Sequence, residues 1–129
     1  MKKRLLTLLT TIFFVGSLSV SAQAILKFEK NCHNFGQFAE EKPVTFKFVF
    51  TNTGDEPLVI HQAMSSCGCT IAKYTKTPVE PGKKGEVSVT YNGRGKYPGR
   101  FKKAITIRSN ASNKLVRLYV EGDMIEAKK

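Results

Sequence analysis

The chain has 129 residues, with 21 Lys and Arg against 10 Asp and Glu, for a formal net charge of +11. That length accommodates one domain around one hydrophobic core. Three cysteines form at most one internal bridge, which excludes a disulfide-dense scaffold, and the positive excess bears on association with anionic surfaces rather than on fold.

The N-terminus runs from a basic segment, Met1-Lys2-Lys3-Arg4, into an apolar run, Leu5 to Val15, and then into small residues up to Ala24. That order predicts a cleaved secretory signal peptide over residues 1–24, with small-x-small cleavage sites after Ala22 or after Ala24. Gly16 and the serines that follow interrupt the run, whereas a membrane span needs about 20 firmly apolar residues. No transmembrane segment is therefore expected after cleavage, and the product is expected in the periplasm or outside the cell. Without residues 1–24, eighteen basic residues stand against ten acidic ones, a charge of +8. Outside the cytoplasm the expected partner is an extracytoplasmic protein or an envelope component, not nucleic acid.

Residues 25–125 read as strands and turns. Ile25 to Glu29 alternates weakly, and Val44 to Thr51 sets Phe46, Phe48 and Phe50 on one face. Asn52-Thr53-Gly54-Asp55-Glu56-Pro57 carries turn chemistry. Leu58-Val59-Ile60 is a short apolar run that reads as buried on both sides, and Thr70 to Tyr74 reads as a short edge strand. Pro81-Gly82 is a type II turn pair. Val87, Val89 and Tyr91 point inward, and Phe101, Ile105 and Ile107 share a parity, as do Val116, Leu118 and Val120. Residues 109–113 close a last hairpin, and residues 126–129 form a basic tail. No stretch has a long helical period. The pattern predicts an all-β fold, an immunoglobulin-like β-sandwich of about seven strands.

Several of these elements carry a family resemblance. Asn34-Phe35-Gly36, Phe48-x-Phe50-Thr51-Asn52-Thr53-Gly54-x-x-Pro57-Leu58-x-Ile60, Ser66-Cys67-Gly68-Cys69-Thr70 and Pro81-Gly82-x-x-Gly85 stand in this order. The chain resembles domain-of-unknown-function family 1573, an exported, immunoglobulin-like family common in Bacteroidota. The likeness covers residues 25–122. The family usually has an aspartate where Asn34 stands, and Cys32 is not part of its motif. The resemblance implies a fold and a compartment and no agreed activity.

The Cys67-Gly68-Cys69 element admits three readings. In a flat strand the two Cα atoms lie about 6.6 Å apart, at the edge of the disulfide range of up to about 6.8 Å, and Gly68 lets the backbone kink to bring them closer. The bland reading is a structural disulfide or buried thiols locking a corner between sheets, with Cys32 as an alternative partner. The second is a thiol–disulfide redox pair, whose low thiol pKa requires a cation; His61 and Lys73 are the nearest in sequence. The third is a copper or zinc site drawing on His61, Cys67 and Cys69, but the one-residue spacer is shorter than structural zinc sites use. On strand parity Met64 reads as core and His61 as surface.

No hydrolytic elbow is present, and Glu40-Glu41 read as solvated. Arg94, Lys96, Tyr97, Arg100, Lys102 and Lys103 gather in a short span and form the candidate binding surface; the plain alternative is a solvated basic face on an edge strand. The chain is expected to be a monomeric, non-catalytic binding or structural module without a cofactor. The rival is a redox or metal protein acting through Cys67 and Cys69.

Overall fold

The computed structural model describes residues 22–126. Residues 1–21 of the expected signal peptide and tail residues 127–129 lie outside the described residues. Eight strands follow in chain order: β1 (Leu26–Phe28), β2 (Cys32–Ala39), β3 (Val44–Asn52), β4 (Ile60–Ser65), β5 (Thr70–Tyr74), β6 (Lys84–Tyr91), β7 (Gly99–Ser109) and β8 (Leu115–Ile125). They form two four-stranded sheets, ordered β1-β3-β6-β5 and β2-β8-β7-β4. All pairings are antiparallel except β2 with β8, which is parallel.

The inward positions of four long strands meet between the sheets. Phe48 and Phe50 (β3), Val87 and Val89 (β6), Ile105 and Ile107 (β7) and Leu118 and Val120 (β8) are all buried. Burying side chains of this size is worth about 1.5–3 kcal/mol each. Phe50 fits because its partner across the ladder is Gly85, where an added Cβ would collide with the ring. The Pro81-Gly82 turn forms as expected: Gly82 has φ 79°, and the Lys83 N–H donates to the Glu80 carbonyl at 3.0 Å.

Two departures from the expected pattern come from bulges. β2 is the strand beyond the expected seven; its register against β8 shifts between Asn34 and Gln37, and Gly36 has φ 70°. The extra residue breaks the period that would have announced a strand. In β4 the register shifts between Ile60 and Gln62. That shift flips the parity, so Ala63 and Ser65 turn inward and Met64, expected in the core, is 44% exposed. The Leu58 to Ile60 run is likewise not buried throughout: Leu58 and Ile60 are buried, but Val59 is half-buried.

Asn52, at the end of β3, is fully buried. Its side-chain NH2 donates to the carbonyls of Glu56 (2.6 Å) and Val79 (2.9 Å), and its Oδ1 accepts from the N–H of Gly54 (3.0 Å) and Ile25 (3.3 Å). The segment before β1 is held by the same corner. Gln23 carbonyl accepts from Asp55 N–H, Ala24 carbonyl accepts from Ser112 N–H, and Ala24 is buried in the core. The sandwich thus takes in two residues ahead of the expected boundary at 25.

Asn52→Ala strands two carbonyls and two N–H groups at once. It should lower unfolding free energy by about 2–4 kcal/mol, read from the urea midpoint at unchanged slope. His33 on β2 stacks on Phe46 (3.7 Å, 7° between planes). Burial there, and secondly the Lys30 ammonium, hold its imidazole below the usual 6.5. The unfolded chain then binds the proton more readily. The contribution of neutral His33 is complete above about pH 6.5 and declines as pH falls through the lower folded value. The stability gap between His33→Phe and the wild type should therefore widen in favour of the variant on going from about pH 7 to about pH 5.

Candidate functional site

β4 belongs to one sheet and β5 to the other, and Ser66 to Cys69 carry the chain across. Cys67 and Cys69 are joined by a disulfide, with Cα atoms 5.2 Å apart. Cys67 is half-buried, Cys69 is buried at 8% exposure and Gly68 is exposed. Backbone and side-chain bonds hold this corner independently of the sulfurs. Ser66 N–H donates to Ala104 carbonyl (3.2 Å), Thr70 N–H to Cys67 carbonyl (3.1 Å) and Asn92 N–H to Cys69 carbonyl (2.8 Å). Ser65 Oγ donates to the Cys67 carbonyl (2.6 Å) and accepts from the Cys67 N–H (3.1 Å). The Cys69 N–H points at the Cys67 sulfur, 3.2 Å away. A bridge closing a three-residue ring removes loop entropy worth only about 1.6 kcal/mol, against about 3 kcal/mol for a 15-residue loop. It is a weak staple at a corner that is already fastened.

The corner caps a small second core. Cys69, Tyr91 and Met124 are buried together, with Phe35, Phe38, Val44, Cys67 and Phe101 packed around them. Tyr91 and Phe101 stack at 3.9 Å, and Phe38 meets both edge-on. Burial raises the Tyr91 phenol above its usual 10, so it stays neutral beside the disulfide.

The basic stretch begins at the same end. Asn92, bonded to Cys69, starts the β6–β7 loop. Gly93 is buried where a Cβ would collide with Met124, and Lys96 N–H donates to Gly93 carbonyl (2.9 Å). Arg94 N–H donates to Asn92 Oδ1 (3.1 Å), and Gly95 N–H donates to Glu40 Oε1 (3.2 Å). The loop is thereby tied down over residues 92–96, and Tyr97, just past the turn that Gly93 and Lys96 close, stands 97% exposed.

The six residues of the expected binding surface do not share one face. Arg94, Lys96 and Tyr97 lie on the loop, and Arg100 and Lys102 project from β7 on the outer face. Lys103 is half-buried, opposite Val120 and on the inward parity. β7 lies between β8 and β4, so the basic face is not on an edge strand. On that outer face Lys102 pairs with Glu121 and Arg100 with Asp123, beside Asn34 and Gln37 at the bulge of β2. Sequence reasoning missed these two carboxylates, because only the β7–β8 register sets them against the cations. Lys102 Nζ sits 5.0 Å from the centre of the Tyr119 ring.

Cys32 is a free, half-buried cysteine at the start of β2, at the opposite edge of its sheet from β4. His61 is exposed near the start of β4, at the far end of that strand from Cys67. Lys73 is exposed on β5. Neither cation suggested by sequence proximity meets the sulfurs. The β4–β7 register ends with Ser65 opposite Ile105, and beyond it the Ser66 N–H bond to the Ala104 carbonyl is the corner's link to β7.

Residues 26–124 match the family described as "Protein of unknown function (DUF1573)". The chain belongs to that family. No match was found among curated proteins. Among solved structures it is similar to a protein of unknown function from Porphyromonas gingivalis W83, with 16% identity and a TM-score of 0.69. That match covers 83% of this chain and 50% of the other, so the chain spans half the length of that relative. It is similar to the ASH/PapD-like domain of human CEP192, at 13% identity and a TM-score of 0.66, over 82% of this chain and 89% of that one. The periplasmic chaperone SfaE matches at 8% identity and a TM-score of 0.54, over 80% of this chain and 58% of its own. At these identities the likeness is one of fold, an immunoglobulin-like, PapD-like sandwich. Among the described residues no helix is long and apolar enough to cross a membrane.

Proposed function

We propose that this DUF1573 domain is an exported binding module. Its contact end is built from the Arg94–Gly99 loop and the Cys-Gly-Cys corner, and its partner is an anionic surface of an extracytoplasmic protein or envelope component. The observation that carries this reading is Tyr97, an aromatic ring 97% in water on an anchored loop that also carries Arg94 and Lys96. Aromatic and arginine side chains supply the anchor energy of interfaces, and a loop already held in place loses little entropy on docking. The ion pairs among the described residues are Lys47–Glu86 and Lys84–Glu29, so these loop cations face solvent without a carboxylate partner. The combined variant Arg94→Ala, Lys96→Ala, Tyr97→Ala should keep the wild-type unfolding midpoint and lose about tenfold or more of its retention on cell-envelope fractions. Wild-type retention should also fall as salt shortens the Debye length from about 10 Å at 0.1 M to about 3 Å at 1 M. Retention that ignores both the triple substitution and salt would remove the loop from the function.

Export rests on the order of basic, apolar and small residues over 1–24, and the packing of residues 23–25 supports cleavage after Ala22. Cutting after Ala24 would discard a buried alanine and the carbonyls that bind Asp55 and Ser112. It would also make the Ile25 nitrogen, which donates to buried Asn52, a charged terminus. Cutting after Ala22, an exposed residue, leaves the sandwich whole. The mature protein recovered from cells should begin at Gln23 by intact mass and N-terminal sequencing. A start at Ile25 would refute the boundary, and an uncleaved chain would refute the cleaved signal peptide.

A further inference from the structure

The two sulfurs of the corner are inequivalent in a way a structural staple does not require. Cys69 is buried beside Tyr91 and Met124, with Thr70 Oγ1 3.8 Å from its sulfur. Cys67 is the outer sulfur, next to Gly68, where an added Cβ would meet nothing within 4 Å. The Cys69 N–H aims at Cys67 Sγ from 3.2 Å. A backbone donor aimed at the sulfur favours a thiolate over a thiol. Exposed Met64 and Ile71 flank the corner on the two strands that leave it, and both strands are sheet edges.

We infer that Cys67–Cys69 is a thiol–disulfide exchange centre, with Cys67 as the sulfur that bonds to the partner and Cys69 as the resolving sulfur. Its substrates are thiols and disulfides. In the oxidising direction a partner thiolate attacks Cys67 Sγ. The partner–Cys67 bond forms, the Cys67–Cys69 bond breaks, and Cys69 leaves as a thiolate that takes a proton from water. A second partner thiolate then attacks the partner sulfur of the mixed disulfide. Cys67 leaves as a thiolate stabilised by the Cys69 N–H and is protonated in turn. Two electrons have passed from the partner dithiol to the cysteine pair, and the partner holds a new disulfide. The reverse sequence reduces a partner disulfide. The corner keeps its shape throughout, because its backbone bonds and the Ser65 clamp do not pass through the sulfurs. This activity is independent of the anionic partner proposed above, since none of its steps uses Arg94, Lys96 or Tyr97.

The test uses the full mature chain and two probes, glutathione and a synthetic peptide carrying two cysteines among apolar residues. Equilibration in glutathione buffers of graded ratio, acid quenching, alkylation and peptide mapping should show the pair passing reversibly between disulfide and dithiol, with Cys32 distinguished by its own peptide. Cys69→Ser should accumulate a mixed disulfide on Cys67 at least about tenfold faster than Cys67→Ser accumulates one on Cys69. Faster reaction with the peptide assigns the site to polypeptide substrates, and faster reaction with glutathione assigns it to small thiols. A pair that stays oxidised across all the buffers, or one in which Cys69 reacts as fast as Cys67, overturns the inference. Should a single variant fail to fold, the alkylation rates of the two thiols in the reduced wild-type chain decide the same question.

Discussion

Asn52 is a polar side chain buried at one end of a hydrophobic sandwich, and three separate pieces of chain depend on its hydrogen bonds. Its two donors fix the carbonyls of Glu56 and Val79, and its one oxygen takes the N–H groups of Gly54 and Ile25. An apolar residue of the same size would leave all four backbone groups without partners. An aspartate would turn a carboxylate toward two carbonyl oxygens. The amide alone offers two donors and two acceptor directions from one planar group. Gly54 belongs to the same device, because a Cβ there would collide with the backbone of residues 23–25. The tight turn, the N-terminal segment and the short Leu58–Val79 bridge are thus one cooperative unit.

That unit sits at the opposite end of the sandwich from the cysteine corner. Along β3, Thr51 pairs with Lys84 at the Asn52 end, while Val44 pairs with Tyr91 at the other. Tyr91 in turn pairs with Thr70, and Asn92 bonds to Cys69. The long strands between are filled by the main core, so the two ends are coupled only through rigid ladders. The far end carries the smaller aromatic cluster, the exposed loop and the disulfide.

The long strands were legible because each presents one wet and one dry face, so Phe48, Val89, Ile107 and Leu118 announced themselves by alternation. β2 was not, since its bulge, its glycine and its half-exposed positions leave no period to detect, and its parallel pairing with β8 has no local signal. The parity of Met64 was misread for a related reason: a single-residue shift at His61 exchanges the two faces of β4 without changing composition. Asn52 looked like turn chemistry, which is half correct, but its burial depends on the neighbouring carbonyl of Val79, 27 residues away. For the site, the Cys-Gly-Cys pair and the cation-rich stretch could be picked out singly. Their shared location could not, because it is produced by the β5–β6 ladder.

Docking and thiol exchange make different demands on a surface, and this end of the molecule meets both through one arrangement of backbone. Docking asks for side chains held still: the Asn92–Cys69 bond and the Glu40–Gly95 bond fasten the loop that presents Tyr97. Exchange asks that a sulfur–sulfur bond open and close without unfolding its surroundings. The bonds of Ser66, Thr70 and Asn92, with the Ser65 clamp on Cys67, supply that by carrying the corner's geometry in the main chain. Because the Cys69 carbonyl is the acceptor for the loop and the Cys69 sulfur lies on the other branch of the same residue, the loop's anchor survives a change in the sulfur. A corner that relied on the disulfide for its shape would have to choose between the two roles, and this one does not.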